Sequence, residues 1–136
     1  MKLLIKIVFI TLIAFSFLGC TKVEGLGGKA MITGKLSGQF YSDKQLTLFN
    51  GTGVLADENV YIVYGTADTY FDDDIKSSYD GSFQFKYLRP GKYTVFVYEN
   101  CYPCSSLQEV VVFSEIEITS KDQVVDLGTI TLKKKI

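Results

Sequence analysis

Histidine is absent from the 136-residue sequence. This absence removes the side chain that most often serves as a general base or a metal ligand in proteins. An excess of basic residues is absent too, because 14 lysines and arginines are balanced by 15 aspartates and glutamates. Proteins that bind nucleic acid usually carry a clear positive charge, so the composition argues against a nucleic-acid partner. The pattern of an amphipathic helix is also missing, and we therefore expect an all-β fold.

The first 20 residues hold the longest apolar run of the chain. Lys2 and Lys6 precede and interrupt an apolar segment at residues 3–18, which ends in Gly19 and Cys20. A positive start, an apolar centre and small residues at the exit are typical of a secretory signal peptide. The run is only slightly shorter than the roughly 20 apolar residues of a membrane-spanning helix, so an uncleaved anchor helix is the alternative.

Residues 17–20 resemble the lipobox of bacterial lipoproteins, with Phe17 at a position where leucine is commoner. The resemblance implies removal of a signal peptide at residues 1–19 and attachment of acyl chains to Cys20, which would hold the protein on a bilayer. Thr21 after the cysteine resembles the sorting signal for the bacterial outer membrane, and the choice between its periplasmic and surface faces stays open. Residues 20–29 are predicted to form the lipidated cysteine and a flexible, glycine-rich tether.

The remaining residues, 30–136, suit a single domain. Apolar residues repeat there with a period of two, which is typical of β-strands. A weak strand is predicted at residues 45–49, a strong and central one at residues 60–64, and a further one at residues 75–79. In the last strand the apolar parity changes at Gly128, which predicts a β-bulge. The pattern as a whole predicts a small antiparallel β-sandwich of seven strands.

The clearest local pattern lies at residues 79–97. Asp80 and Gly81 favour the positive φ angles of a tight turn, and an alternating run with two phenylalanines follows. Pro90 and Gly91 fit a type II turn, and a second alternating run begins at Tyr93. These features predict a β-hairpin in which the named residues form the structural turns, while the aromatic side chains of the strands belong to the core.

The same residues resemble those of a known family. Asp80-Gly81-Ser82-Phe83 is followed ten positions later by Pro90-Gly91-Lys92-Tyr93. This order is similar to that of the carboxypeptidase regulatory-like, transthyretin-like domains, and the resemblance covers residues 30–132. It implies a non-catalytic β-sandwich without a cofactor, of the kind attached to enzymes, adhesins or outer-membrane transport machinery. The chain departs from the family pattern in a long connection at residues 37–58 and in two cysteines at residues 99–107.

Cys101 and Cys104 flank a Tyr-Pro pair. Two cysteines at this spacing are typical of thiol redox enzymes when they begin a helix, because the helix N-terminus stabilises the thiolate. A β-branched run at residues 110–112 predicts a strand instead, and export to an oxidising space favours a structural disulfide. A metal site is not expected, because two thiols without histidine rarely complete a zinc site.

A second candidate site combines aromatic rings with carboxylates. Its residues are Tyr70, Phe71, Asp72, Asp73, Asp74, Tyr98 and Tyr102. Such a set is typical of a sugar-binding or calcium-binding loop. The alternative is a solvated acidic loop, because consecutive aspartates of an extended chain point in different directions.

We therefore expect a non-catalytic, lipid-anchored module of the cell envelope that binds an envelope protein or has a structural role. An edge strand or the connection at residues 37–58 would make the contact. The first alternative is a carbohydrate-binding module for a surface glycan, which requires Tyr70, Phe71, Tyr98 and Tyr102 to form one platform. The second is a thiol–disulfide oxidoreductase that acts through Cys101 and Cys104.

Overall fold

The computed structural model describes residues 23–65, 70–105 and 108–136, with the backbone alone for residues 108–114. These residues form eight β-strands and no helix. The strands are β1 (Leu26–Tyr41), β2 (Phe49–Val54), β3 (Asn59–Tyr64), β4 (Asp73–Lys76), β5 (Ser82–Leu88), β6 (Gly91–Asn100), β7 (Gln108–Ile118) and β8 (Val124–Lys135). The all-β prediction is confirmed, with eight strands where seven were expected.

The strands form two four-stranded sheets. Sheet 1 has the order β2-β1-β5, and β8 pairs with β1 as well, whereas sheet 2 has the order β4-β3-β6-β7. All pairs are antiparallel except β1 with β8, which run parallel. Ile32, Thr33 and Lys35 of β1 pair with both β5 and β8, so these two strands lie on opposite sides of β1. The predicted β-sandwich is confirmed.

The core lies between the two sheets and follows the alternation of the sequence. In β1, Ile32 and Leu36 are buried, and Gly34 lies between them on the same face. A Cβ atom on Gly34 would lie 2.6 Å from Cζ of Phe83, so this glycine makes room for the phenylalanine ring. Phe83, Phe85 and Tyr93 are 2%, 4% and 0% exposed, which confirms their predicted place in the core.

The predicted hairpin at residues 79–97 is wrong. Both of its strands exist as β5 and β6, but β5 pairs with β1 in sheet 1 and β6 pairs with β3 and β7 in sheet 2. Arg89 and Pro90 therefore connect β5 of sheet 1 to β6 of sheet 2. Alternation shows which residues of a strand are buried, but it does not show whether two strands pair edge to edge or pack face to face.

The two predicted turn glycines both have positive φ angles. Gly81 has a φ of 79°, and its N–H donates to the carbonyl oxygen of Ser78 at 2.8 Å. Gly91 has a φ of 154°, which differs from the value near 80° at the second central residue of a type II turn. Gly91 instead begins β6, opposite Ile118 of β7.

Three predicted boundaries require correction. β1 begins at Leu26, so residues 26–29 of the predicted tether belong to a sheet. β2 lies at Phe49–Val54 and not at residues 45–49, because Asp43 holds the preceding segment in a turn. Its carboxylate accepts hydrogen bonds from the backbone N–H groups of Thr47 and Leu48, at 2.9 and 2.6 Å. β4 covers Asp73–Lys76, earlier than the predicted strand at residues 75–79.

The predicted bulge in the last strand is confirmed. Thr33 of β1 lies opposite Asp126, while Lys35 lies opposite Thr129, so β8 has one more residue than β1 over this interval. Gly128 lies within the interval and has a φ of 68°. The extra residue explains why the inward-facing side chains of β8 change from odd-numbered to even-numbered positions at this point.

Candidate functional site

The outer face of sheet 2 carries a row of aromatic side chains. β3 and β6 lie in the middle of this sheet, with Val60, Ile62, Val95 and Val97 facing the core. Opposite residues of an antiparallel pair lie on the same face, and Tyr61 is opposite Phe96. Because neighbouring residues of a strand point to opposite faces, the two aromatic rings lie on the face directed away from the core.

Four rings on this face contact one another and form what we call the aromatic patch: Tyr61, Phe71, Phe96 and Tyr98. The ring centroid of Tyr61 lies 4.7 Å from that of Phe71, 5.1 Å from that of Phe96 and 5.5 Å from that of Tyr98. Tyr61 and Phe96 are stacked with an angle of 16° between their planes. Phe96 and Tyr98 are edge to face at 5.7 Å. Tyr61 is thus the centre of the patch.

A cavity of about 230 Å³ adjoins the aromatic patch. It is lined by Asp57, Glu58, Asn59, Tyr61, Tyr98 and Lys134. The two tyrosines provide ring surface, and the other four residues provide two carboxylates, an amide and an ammonium group. We refer to this cavity as the polar pocket.

Hydrogen bonds and ion pairs fix the positions of the polar groups. Lys134 is 2.7 Å from a carboxylate oxygen of Glu58, and with 15% of its side chain exposed it is the most buried cation among the ion pairs found in the described residues. Its ammonium group also donates to the carbonyl oxygen of Tyr98 at 3.4 Å. The amide of Asn59 donates to the Tyr61 hydroxyl at 3.3 Å. The patch and the pocket are therefore linked through the hydroxyl of Tyr61.

Asp74 adds a carboxylate at the other edge of the patch. It lies opposite Tyr61 in the pairing of β3 with β4, so the two side chains share the outer face. Phe71 comes from the segment just before β4 and contacts Tyr61 from that side. The patch is thus bordered by acidic or amide groups on both sides.

The seven residues of the predicted aromatic and acidic site are only partly brought together. Phe71 and Tyr98 both contact Tyr61 and belong to the patch. Tyr70 and Tyr102 are 82% and 45% exposed and are not among the ring pairs found in the described residues. The predicted platform of four aromatic residues is therefore wrong in two of its members.

Tyr61 and Phe96 were missed by the sequence reasoning. Both lie in alternating strands, where an aromatic residue is most often part of the core. The signal that could have identified them is their parity, since Tyr61 alternates with the core residues Val60 and Ile62. Likewise, Phe96 alternates with Val95 and Val97.

The three consecutive aspartates do not converge on a common point. Asp72 accepts a hydrogen bond from the backbone N–H of Tyr64 at 2.7 Å, and Asp73 accepts one from the backbone N–H of Asp74 at 2.9 Å. Burial, and then the charges of Asp73 and Asp72, raise the pKa of Tyr64. Within the described residues, no group of three acidic or cysteine side chains is arranged to hold a metal ion.

Cys101 and Cys104 are joined by a disulfide, with their Cα atoms 5.6 Å apart. This distance lies within the usual range for a disulfide. The loop follows β6 directly, and the peptide bond between Tyr102 and Pro103 is cis. The helix that thiol catalysis uses to stabilise a thiolate is not found at Cys101. The oxidised state of the pair in the cell stays a prediction.

The proposed lipid attachment site, Cys20, lies outside the described residues, as does the apolar run before it. Within residues 23–65, 70–105 and 108–136, no helix is long and apolar enough to cross a membrane.

Comparisons with known proteins show no sequence relative. No protein-family model matches the chain, and no characterised protein matches its sequence. A crystal structure of a candidate carbohydrate binding protein from Pseudomonas aeruginosa is similar with a TM-score of 0.45 and 11% identity, over 81% of this chain and 91% of that chain. A 9R-lipoxygenase from Cyanothece is similar with a TM-score of 0.36 and 14% identity, over 91% of this chain and 20% of that chain. Likenesses of this size assign no function.

Proposed function

We propose that this chain is a non-catalytic binding module of the bacterial cell envelope and that it binds carbohydrate through the aromatic patch and the polar pocket. One observation carries this proposal. Tyr61 presents its ring within a cluster of three other aromatic rings while its hydroxyl contacts Asn59 at the rim of the pocket. Apolar ring surface and hydrogen-bonding groups therefore meet at a single place.

A sugar needs both kinds of surface. The C–H face of a sugar ring is apolar and packs on an aromatic side chain, while its hydroxyl groups need hydrogen-bond partners when water is displaced. The carboxylates of Asp57 and Glu58 accept hydrogen bonds, and the amide of Asn59 and the ammonium of Lys134 donate them. The pocket offers all four groups within a volume of about 230 Å³.

The size of the pocket limits what is bound. Pockets that enclose a drug-sized molecule usually measure about 300–1,000 Å³, so this one is too small to enclose a large ligand. In the aromatic patch beside it, Phe71 is 48% exposed and the other three rings are partly exposed. We therefore infer that one sugar unit occupies the pocket while the neighbouring units of an oligosaccharide lie across the patch.

The test is binding to an array of bacterial and host polysaccharides. Tyr61→Ala removes the ring that joins the patch to the pocket, so it should weaken binding by about tenfold or more, or about 1.4 kcal/mol. Tyr79→Ala is the matched control, because Tyr79 is 92% exposed in the turn before β5 and belongs to neither the patch nor the pocket. Equal binding by the wild type and Tyr61→Ala, or equal losses in both variants, would rule out the carbohydrate site.

A second candidate function is supported by the connection at residues 37–58. This region contains the short edge strand β2, and Leu48, Phe49 and Val54 there are 61%, 56% and 55% exposed. An edge strand with exposed apolar side chains suits the addition of a strand from a partner protein. If this surface makes the functional contact, Val54→Lys should abolish crosslinking to an envelope protein in intact cells and leave glycan binding unchanged.

The lipid anchor, the outer-membrane location and the relation to the carboxypeptidase regulatory-like family belong to this proposal. The lipobox resemblance at residues 17–20 supports the anchor, and the two packed sheets with the turn at Gly81 before β5 support the family relation. An enzymatic role for Cys101 and Cys104 is disfavoured, since they close a loop after a strand.

A further inference from the structure

A larger cavity, of about 510 Å³, lies where β1 begins and where the chain crosses between the sheets. Its lining includes Gly27, Gly28, Lys29, Arg89, Lys121 and Asp122. Three of these residues are cations from three separate segments of the chain. This cavity has no part in the carbohydrate site described above.

The backbone of β1 is shaped to form the wall of this cavity. Leu26 and Ala30 both lie opposite Leu88, so the three residues between them bulge out of the pairing with β5. Gly27 has a φ of 110°, and a Cβ atom on it would lie 2.8 Å from a terminal nitrogen of Arg89. The absence of a side chain at Gly27 therefore lets the guanidinium group lie against the backbone.

The charge of the cavity favours an anion. Lys29, Arg89 and Lys121 are all exposed, and none of the ion pairs found in the described residues involves them. Asp122 on the wall and the nearby Glu24 reduce this charge without cancelling it. A guanidinium group binds phosphate with two parallel hydrogen bonds, and two lysines add charge without requiring a fixed geometry.

The position of the cavity relates it to a membrane. The carbonyl oxygen of Gly25 accepts a hydrogen bond from the backbone N–H of Arg89 at 2.9 Å, so the start of the fold is held at the cavity. Gly25 lies five positions after Cys20, and a fully extended chain spans at most about 18 Å over five positions. Acyl chains on Cys20, or an uncleaved apolar segment before it, would both keep the cavity close to the bilayer surface.

We propose that this cavity binds the phosphate of an anionic lipid headgroup and so directs this end of the sandwich towards the bilayer. The inference rests on the proposed membrane attachment. It also predicts which end of the sandwich faces the membrane. Lys29 lies at the cavity, eleven residues before Phe40 in β1, and Phe40 pairs with Lys134 of the polar pocket. Eleven residues of strand span about 35 Å, so the carbohydrate site lies at the end away from the membrane.

The test uses the full chain with Cys20→Ser, so that acylation cannot hold it to a vesicle. Co-flotation is measured with phosphatidylcholine vesicles that contain phosphatidylglycerol and with vesicles of phosphatidylcholine alone. We expect a preference for the anionic vesicles, which the triple variant Lys29→Gln, Arg89→Gln, Lys121→Gln should reduce by about tenfold or more. Any insertion of the apolar N-terminal segment, whose Lys2 and Lys6 also favour anionic vesicles, is the same in the starting protein and in the variant and cancels between these two proteins.

A second triple variant, Lys44→Gln, Lys86→Gln, Lys133→Gln, is the matched control, because it removes the same charge from exposed positions outside the cavity. It should keep the preference to within about twofold, since screened surface charges act over roughly 8–10 Å at physiological salt.

No preference in the starting protein, or equal loss in both triple variants, would overturn the proposal. So would binding of free glycerol phosphate that the first triple variant abolishes while its vesicle preference stays unchanged, which would assign the cavity to a soluble phosphate. Failure of the lipid anchor would appear separately, as the absence of labelled palmitate from the wild-type protein in cells.

Discussion

The Tyr93 side chain fixes the place where the chain enters the fold. Its hydroxyl accepts a hydrogen bond from the N–H of Gly25 at 3.0 Å and donates one to the carbonyl oxygen of Arg89 at 2.7 Å. The residue is 0% exposed and packs edge to face on Tyr64, with ring centroids 5.8 Å apart. Burial raises the pKa of Tyr93, and the hydrogen bonds to Gly25 and Arg89 act in the opposite direction.

Tyr93→Phe should lower the free energy of unfolding by about 1–3 kcal/mol, because it leaves the buried N–H of Gly25 without its hydrogen-bond acceptor. Denaturant unfolding of the wild type and the variant measures this difference. Tyr79→Phe removes a hydroxyl from a side chain that is 92% exposed, so it should leave the stability unchanged. Equal stability of Tyr93→Phe and the wild type would show that the hydroxyl does not hold the start of the fold.

The Asp80 side chain stabilises the turn before β5. Its carboxylate accepts hydrogen bonds from the hydroxyl and the backbone N–H of Ser82, at 2.6 and 3.1 Å, and lies 3.4 Å from the ammonium of Lys35. The hydrogen bonds from Ser82 are the main cause that lowers the pKa of Asp80 from 3.8 to about 2, and Lys35 adds to it.

Because the pKa of Asp80 is lower in the folded protein than in the unfolded chain, folding favours the charged carboxylate. Its contribution to stability is therefore complete above the unfolded pKa of 3.8 and is lost as the pH falls towards about 2. Asp80→Asn should lower stability at neutral pH and should make unfolding less dependent on pH between these two values. Denaturant midpoints of both proteins across this pH range would show it. Parallel pH curves would contradict this role.

At the level of the strands, the sequence patterns predicted which residues form strands better than they predicted which strands pair. Alternation placed four strands and one bulge close to their observed positions: β3, β5, β6, β7 and the bulge at Gly128. It could do so because the burial of every second residue is a local property of a strand. Pairing was mistaken for β5 and β6, since a short turn can join neighbours in one sheet or cross between two sheets. β2 was misplaced, since the hydrogen bonds of Asp43 override the strand propensity of residues 45–49.

The candidate site was predictable only in part for the same reason. Phe71 and Tyr98 could be proposed from their neighbours in the sequence. Parity could place their common partner Tyr61 on the outer face, but its contacts with them depend on the pairing of β3 with both β4 and β6, which the sequence does not show. The polar pocket also needs Lys134, which reaches Glu58 only because β8 runs parallel to β1.

The loop between β6 and β7 allows a direct test of the disulfide. Closing a loop of four residues should stabilise the fold by roughly 2 kcal/mol, so Cys101→Ser, Cys104→Ser should lower stability by about that amount and leave the β-sheet circular dichroism spectrum intact. Reducing agent should shift the unfolding midpoint of the wild type but not that of the double variant. A reduction potential near those of disulfide-exchange catalysts, with turnover on a model disulfide, would instead establish an enzyme.

For the whole molecule, the two cavities lie at opposite ends of β1. The cationic cavity adjoins residues 27–29, and Lys134 of the polar pocket pairs with Phe40. The edge strand β8 is covered near the second end, where Glu99 and Asn100 accept hydrogen bonds from its backbone N–H groups. This arrangement suits a module that is held to a membrane at one end and binds a ligand at the other.

If the proposed lipid anchor holds the protein, Cys20→Ser should reduce its share in the membrane fraction of cells, because acyl chains could no longer be attached. Fractionation after a mild wash, with labelled palmitate to report acylation, measures both effects. Cys104→Ser is the control, because this cysteine lies within the domain and should not be acylated. If the wild type takes up no labelled palmitate, or Cys20→Ser takes up as much as the wild type, the lipid anchor is wrong.

The proposed carbohydrate site is tested most directly by a nuclear magnetic resonance titration. The saccharide with the strongest array signal is added to isotope-labelled protein that carries Cys20→Ser. We predict that the chemical shift changes concentrate on Tyr61, Phe71, Phe96, Tyr98 and the side-chain amide of Asn59. Changes confined to β2, or no saturable change on the aromatic patch, would contradict the proposal that this face of sheet 2 binds carbohydrate.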